Sequence, residues 1–210
     1  MFVELNKQIV VLFFLLTAGL HFAYSQFAIG ISAISGALHI DNKLNRFLYV
    51  NSLFPKKTFN YELGGVISIQ HYFGKTTQFS IWGLQGIFRD AANKLAGFTG
   101  IEGKSKLFTF KKTMAELGIG IALSYRKTWR NFWGYIPEPG YHSWQEIEYK
   151  PAITASYTHL FYISNTSDIL FSFLYNFEKE TVFLSAGIRI WYGLEKPCGC
   201  NQPYKRKHFI

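Results

Sequence analysis

Long apolar runs are scarce in this chain of 210 residues. The longest lies near the N-terminus, over Ile9–Ala18, and is about half of the roughly 20 residues that a membrane-crossing helix needs. Beyond residue 25 no run approaches 18 apolar residues, so helical spans are excluded there. A mean hydropathy of only +0.05 argues against a helical membrane bundle in the same way. Charge is scarce as well: Asp, Glu, Lys and Arg make up 17%, below the ordinary share of about 25% and thin for a surface facing water. Cysteine occurs only at Cys198 and Cys200, which excludes a disulfide framework for the body of the chain. Nucleic-acid recognition motifs are absent, so the net charge of +9 is not assigned to a nucleic-acid partner.

What the chain has in excess is rings. Aromatics reach 19%, with 21 Phe and 13 Tyr. The N-terminus has charge at Glu4 and Lys7, then the short apolar run, then Ala23-Tyr24-Ser25. Small residues at 23 and 25 fit a signal-peptide cleavage site, so residues 1–25 are expected to be a removed export signal.

From Gln26 onward the period is two. Phe59, Tyr61, Leu63, Ile67, Ile69 and Phe73 share one face, with Asn60, Glu62, Ser68 and Gln70 on the other. The stretches "MAELGIGIALSYR", "ILFSFLYNF" and "TVFLSAGIRIWYG" repeat the pattern. Strict alternation of this length predicts strands with one apolar face each. Eight are expected, over 27–39, 59–73, 78–89, 106–126, 128–136, 147–162, 168–177 and 181–193. Short connectors, "GKTT", "RKT" and "SNTSD", alternate with long ones, and this is the arrangement of transmembrane β-barrels. Rings are expected to gather at the short-turn end, at Phe27, Phe73, Phe79, Tyr125, Trp129, Phe161, Phe171 and Tyr192. The competing arrangement is a water-soluble barrel with its apolar face inward. The polar face here is mostly Gly, Ser, Thr and Asn with isolated charges, which suits a narrow interior better than a wet exterior. The expected fold class is therefore all-β, an eight-stranded antiparallel up-and-down transmembrane β-barrel over residues 26–193, followed by a basic tail over 194–210.

The last strand carries a resemblance. Ser185-x-Gly187-x-x-Ile190-x-Tyr192 resembles the C-terminal signal by which Gram-negative barrels are recognised for assembly into the outer membrane. Together with the strand count, the chain resembles the small eight-stranded outer-membrane barrels of the OmpA and OmpX type. That resemblance implies an integral outer-membrane location, contact with outer-membrane lipids and lipopolysaccharide, and handling by the barrel-assembly machinery. The family's usual chain ends at the signal's aromatic residue, whereas this one continues for 17 residues beyond Gly193.

Eight strands leave an interior just filled by side chains. The charges expected to face it are Glu62, Glu116, Glu148, Lys150, Arg126 and Arg189, paired with one another because a bare buried charge costs several kcal/mol. Two functional alternatives remain, a lipid-modifying enzyme and a narrow channel. Lipid A deacylases of this barrel class carry His-x-Ser-Asn, but Tyr162-Ile163-Ser164-Asn165 has Tyr where the base belongs. Palmitoyl transferases suggest His39 with Asp41, or His142 with Ser143. No catalytic residue, metal site or cofactor is assigned. His71 and His159 fall on apolar faces as interface residues. In the tail, Cys198 and Cys200 and the basic cluster Lys205, Arg206 and Lys207 are expected in the periplasm, available to a protein partner or to headgroups. The expected role is structural or partner-binding, through the outer loops and this tail.

Overall fold

The structure, a computed structural model, describes residues 26–40, 45–50, 52, 58–73, 78–110, 112–164 and 166–192. The export segment 1–25, Asp41 and the tail residues Cys198, Cys200, Lys205, Arg206 and Lys207 lie outside the described residues. In chain order the strands are β1 (Gln26–His39), β2 (Phe59–Asn60), β3 (Gly64–Phe73), β4 (Phe79–Arg89), β5 (Leu95–Phe110), β6 (Thr113–Lys127), β7 (His142–Trp144), β8 (Ile147–Ser164), β9 (Ser167–Asn176) and β10 (Thr181–Tyr192). Eight of these are barrel staves; β2 and β7 are short additions pairing with β1 and β8. Each stave is antiparallel to the next, and β10 returns to β1 from Phe27↔Tyr192 to His39↔Thr181. Closure removes every free sheet edge, which a spanning sheet in hydrocarbon requires.

The alternation sorts the side chains. Ile31, Ile119 and Ile121 point outward and are 61%, 65% and 70% exposed. Ser68, Gln70, Glu102, Lys104, Glu116 and Arg189 point inward and are buried. A water-soluble barrel has the reverse distribution. Exposed isoleucine over the full girth is stable only against hydrocarbon, since apolar area is worth about 25 cal/mol per Å² when removed from water. The barrel is inside-out, a transmembrane wall.

Two strand boundaries differ from those predicted. Residues 106–126 are two strands, the end of β5 and most of β6, paired antiparallel up to Phe110↔Thr113. Residues 128–136 are loop, built of successive turns with Phe132 N–H donating to Trp129 O at 2.8 Å. The connector "RKT" is therefore no short turn. Strand β6 runs to Lys127 and leads into the long 128–146 loop, at the opposite end from the short turns. Tyr125 and Trp129 leave the expected aromatic girdle for the same reason. The connection after β4 is also short, a turn at 90–94 in which Asn93 adopts φ 59°. The loop end thus carries two long connections, 40–63 and 128–146, and two tight ones, 90–94 and 177–180. At the short-turn end Phe27 stacks on Tyr192, His71 meets Phe73, and His159 lies against Phe161, all on the outward face.

Candidate functional site

The interior is layered. Nearest the short turns, Tyr72 stacks on Trp191, with Ala28, Met114, Leu160 and Leu170 packed beside them. Above this floor Arg189 donates to Gln70 (2.9 Å), Tyr72 (2.6 Å) and Asp168 (3.2 Å), and lies 3.5 Å from Glu116. Glu116 also accepts from Gln70 at 3.0 Å and from the Tyr72 hydroxyl. At mid-height Glu102 accepts from Thr154 (2.8 Å) and Ser156 (2.6 Å), while Lys104 donates to Thr158 (2.6 Å) and sits over the Trp82 ring. These buried charges are tolerated because each is paired or hydrogen-bonded.

An apolar stopper follows. Phe88, Phe98 and Phe183 meet with ring centroids 5.0, 5.6 and 6.1 Å apart, and Ile34, Val66, Trp82, Leu84 and Leu174 fill around them. A void of about 20 Å³ remains beneath, room for one water. Above the stopper, at the loop end, lies a cavity of about 360 Å³.

Arg126, from the end of β6, organises that cavity. Its guanidinium donates to Glu148 (3.0 Å) and Tyr135 (3.1 Å), lies 3.5 Å from Glu138, and is held between the rings of Trp129 (4.1 Å) and Tyr141 (4.2 Å). Cations over aromatic faces gain up to about 2 kcal/mol when desolvated. Asn45 ties the two long loops by accepting from Ile136 N–H (3.0 Å) and donating to Ile136 O (2.8 Å) and Glu138 (3.0 Å). Tyr49, Ala91, Ala92 and Trp129 form a small apolar core over the mouth, with Leu48, Phe132 and Tyr135 against it. Asp90 accepts from Trp129 Nε1 (2.8 Å) and from the N–H groups of Ala92 (3.1 Å) and Lys94 (2.7 Å). Burial nevertheless pushes its carboxyl up to about 6.

His39 closes the seam between β1 and β10. Its ring bonds Glu62 (2.8 Å) and Thr181 (3.1 Å), and the Thr181 hydroxyl in turn bonds Lys179 O (2.9 Å). The chain carboxylate–imidazole–hydroxyl has the chemistry of a nucleophile relay. All three residues stand in the cavity wall, although Thr181 is only 1% exposed and its hydroxyl is engaged by the Lys179 carbonyl. His142 stacks on Tyr149, and Ser143 accepts from Arg130 at 2.9 Å, so this pair is spent on loop structure.

The six charges read from alternation fall in two groups. Glu116 and Arg189 meet deep in the lumen, while Arg126 with Glu148, and Glu62 with His39, line the mouth. Lys150 sits at the rim, 3.6 Å from Glu178 and donating to the carbonyls of Pro139 (3.3 Å) and Glu178 (3.1 Å). Glu102, Lys104, Asp168, Asp90 and Glu138 belong to the same polar layers and carried no separate signal in the sequence. Glu102 and Lys104 lay in a segment expected to be loop, although their i, i+2 spacing marks one strand face. In β10, Ser185 and Gly187 pair with Ile34 and Ser32 at the seam, whereas Ile190 and Tyr192 are outward and exposed.

No protein-family model matches the chain, and no curated protein matches it. Among solved structures it is similar to the Neisserial surface protein A, NspA, at 12% identity and TM-score 0.53, over 80% of this chain and 99% of that one. Fainter likenesses reach the N-terminal barrel domain of Pseudomonas aeruginosa OprF and the Yersinia pestis attachment protein Ail. Both are 12% identical, with TM-scores 0.47 and 0.42, over 79% of this chain and 97% of theirs. Identity at this level speaks for the fold alone. Closed, eight-stranded, antiparallel and apolar on its outer wall, the chain has the architecture of the small outer-membrane β-barrels.

Proposed function

We propose that residues 1–25 export this chain to the outer membrane of a Gram-negative cell, where it serves as a sealed scaffold that displays its loop cap outward. The observation that carries this reading is the aromatic stopper of Phe88, Phe98 and Phe183 beneath a loop end whose described residues pack on a small core of their own. A lumen filled in this way does not conduct solutes, and loops held by their own small core present a fixed surface to a partner. In this reading Ser185, Gly187, Ile190 and Tyr192 are the assembly signal. The tail beyond Gly193, with Cys198, Cys200 and the basic Lys205-Arg206-Lys207 run, is displayed to the periplasm for a protein partner.

Planar-bilayer recording tests the scaffold directly. The purified barrel gives a flat trace at 100 mV; stable conductance steps would replace the scaffold with a channel. The His39–Glu62–Thr181 chain favours one further possibility, acyl transfer on an outer-leaflet lipid. Lipid A mass spectra that change on deletion of the protein would support that activity, and identical spectra dispose of it.

A further inference from the structure

The outer wall is not uniform around the barrel. On the far side from β4, strand β9 turns Ile169, Phe171, Phe173 and Tyr175 outward with no small residue among them. Along β4 and β5 the outward cross-strand pairs instead join one large residue to one small: Phe79 to Ser105, Ile81 to Gly103, and Ile101 to Gly83. Around Gly103 the wall is dented. A depression of about 450 Å³ has Phe79 and Ile81 on its β4 side, Leu117 and Ile119 on its β6 side, and Gly103 and Ser105 as its floor. It lies inside the apolar band, with exposed Phe79 towards the short turns and exposed Ile101 towards the loops.

The fold itself gives no reason for Gly103. A Cβ at Gly97, further along the same face, would run into Tyr125 and the Gly86 carbonyl, so packing within the chain requires that glycine. A Cβ at Gly103 would meet nothing closer than the Ile119 carbonyl oxygen, 4.0 Å away. No bulge falls there. The register to β4 runs unbroken from Phe79↔Ser105 to Arg89↔Leu95, and the shift against β6 comes later, between Lys106 and Phe108. Glycine in a strand interior weakens the strand, and where no bulge or bend accounts for it, it marks the close approach of a ligand or another backbone.

Shape decides the occupant. Lipid tails are as apolar as isoleucine, so association within hydrocarbon rests on close packing of surfaces, which small residues admit. A lipid chain follows any contour, whereas a fixed dent fits a fixed knob. The matching knob stands beside the dent on the same molecule: Ile81, 49% exposed, is the direct cross-strand partner of Gly103. A two-fold axis along the membrane normal, passing between two facing walls near this pair, sets Ile81 of each copy against Gly103 of the other. A surface that carries both knob and hole is self-complementary, as a two-fold interface demands. Both walls are convex, so contact is confined to the strands about this seam.

We propose that the chain pairs with a second copy of itself in the membrane through the β4–β5 face, with each Ile81 seated in the depression at the other's Gly103. The pair presents two loop caps side by side. The proposal rests on the wall being transmembrane and not on what the loop caps bind.

The test is energy transfer between donor- and acceptor-labelled full-length chains in phosphatidylcholine vesicles as the protein-to-lipid ratio is raised. The labels are on Cys198 with Cys200 replaced by serine, which also removes free thiols as a source of cross-links. Transfer is expected to rise to a plateau above the level of random encounter. Gly103→Ile fills the dent and is expected to weaken pairing at least about tenfold, the effect of one overpacked side chain. Gly65→Ile is expected to leave pairing unchanged, since this other outward glycine lies on β3 near the loops and its Cβ would meet only the Ser32 carbonyl oxygen at 3.7 Å. Heat-dependent gel migration checks that each variant folds. Contact geometry is read with both tail cysteines replaced by serine: iodine is expected to join Ile81→Cys copies to Gly103→Cys copies, and not to join Ile153→Cys copies to them. Random-level transfer in the parent, equal pairing by folded Gly103→Ile, or equal cross-linking of Ile153→Cys overturns the proposal. Native mass spectra showing a monomer with a bound lipid, and no pair, overturn it in favour of a lipid in the depression. Conductance and the lipid exposure of the wall are read separately, so failed pairing is distinguishable from a failed scaffold.

Discussion

Arg126 shows at a single residue how the loop end is held. One guanidinium serves two carboxylates and a tyrosine hydroxyl while its faces cover two rings, so strand, loop and lid share one anchor. Breaking a buried pair from one side typically costs about 3–5 kcal/mol, because the partner charge is left bare. Asp90, beside it, gives the loop end a pH dependence with a definite sign. Its carboxyl titrates near 6 in the folded chain, for reasons of burial and the Glu62 charge, and near 3.8 in an unfolded one. Between those values the folded chain holds a proton that the unfolded chain has released, so stability falls as pH rises from about 4 to about 6. The fall amounts to at most about 3 kcal/mol. Urea unfolding of the barrel in lipid vesicles is expected to show this slope, and Asp90→Asn to flatten it; an equal slope in the variant would assign the effect to other groups. Arg126 and Glu148 were legible in the sequence because they stand at strand ends within a period of two. Asp90, Glu138 and Lys179 were not, since a turn has no period to expose which way its side chains point.

Strand β10 and strand β5 show the two limits of reading an element. In β10 the apolar residues alternate without interruption, and its outward set, Ile188, Ile190 and Tyr192, is visible in the sequence. Gly187 has a reason of its own there. A Cβ at this position would run into the backbone of Ile31 and Ser32 on β1, at the seam where the barrel closes. Gly187→Val is therefore expected to block closure, and the variant should stay in the unfolded gel position under conditions that fold the parent. A variant migrating as a closed barrel would show that the seam tolerates a side chain. Strand β5 hid its identity for a different reason. Its outward face carries Gly97, Thr99, Gly103 and Ser105 among the apolar residues, while inward positions hold Phe98, Glu102 and Lys104. The usual contrast between faces is lost, so the segment resembled a loop, and the strand count survived only because 128–136 resembled a strand. There Trp129, Phe132 and Tyr135 recur every third residue, the spacing of successive turns rather than of a sheet.

For the molecule as a whole, everything follows from reversed partitioning. Apolar side chains surround the wall, polar ones fill the lumen in paired layers, and an aromatic stopper separates the lumen from the cavity under the loops. The fold was legible because a closed barrel needs only alternation and an even strand count, both of which are local. The cavity was not, because it is assembled from β1, β4, β5, β6, β8 and β10 and from all four loop-end connections, which only closure brings together. The central claim is that this wall meets hydrocarbon. Spin labels at Ile31, Ile67, Ile121, Ile153 and Phe173, in a background with Cys198 and Cys200 replaced by serine, test it by collision with oxygen and with a water-soluble nickel chelate in lipid bilayers. High oxygen and low nickel accessibility at all five positions is the result expected. Nickel accessibility at the level of bulk water along these residues would mean a barrel standing in solution, and would contradict the account.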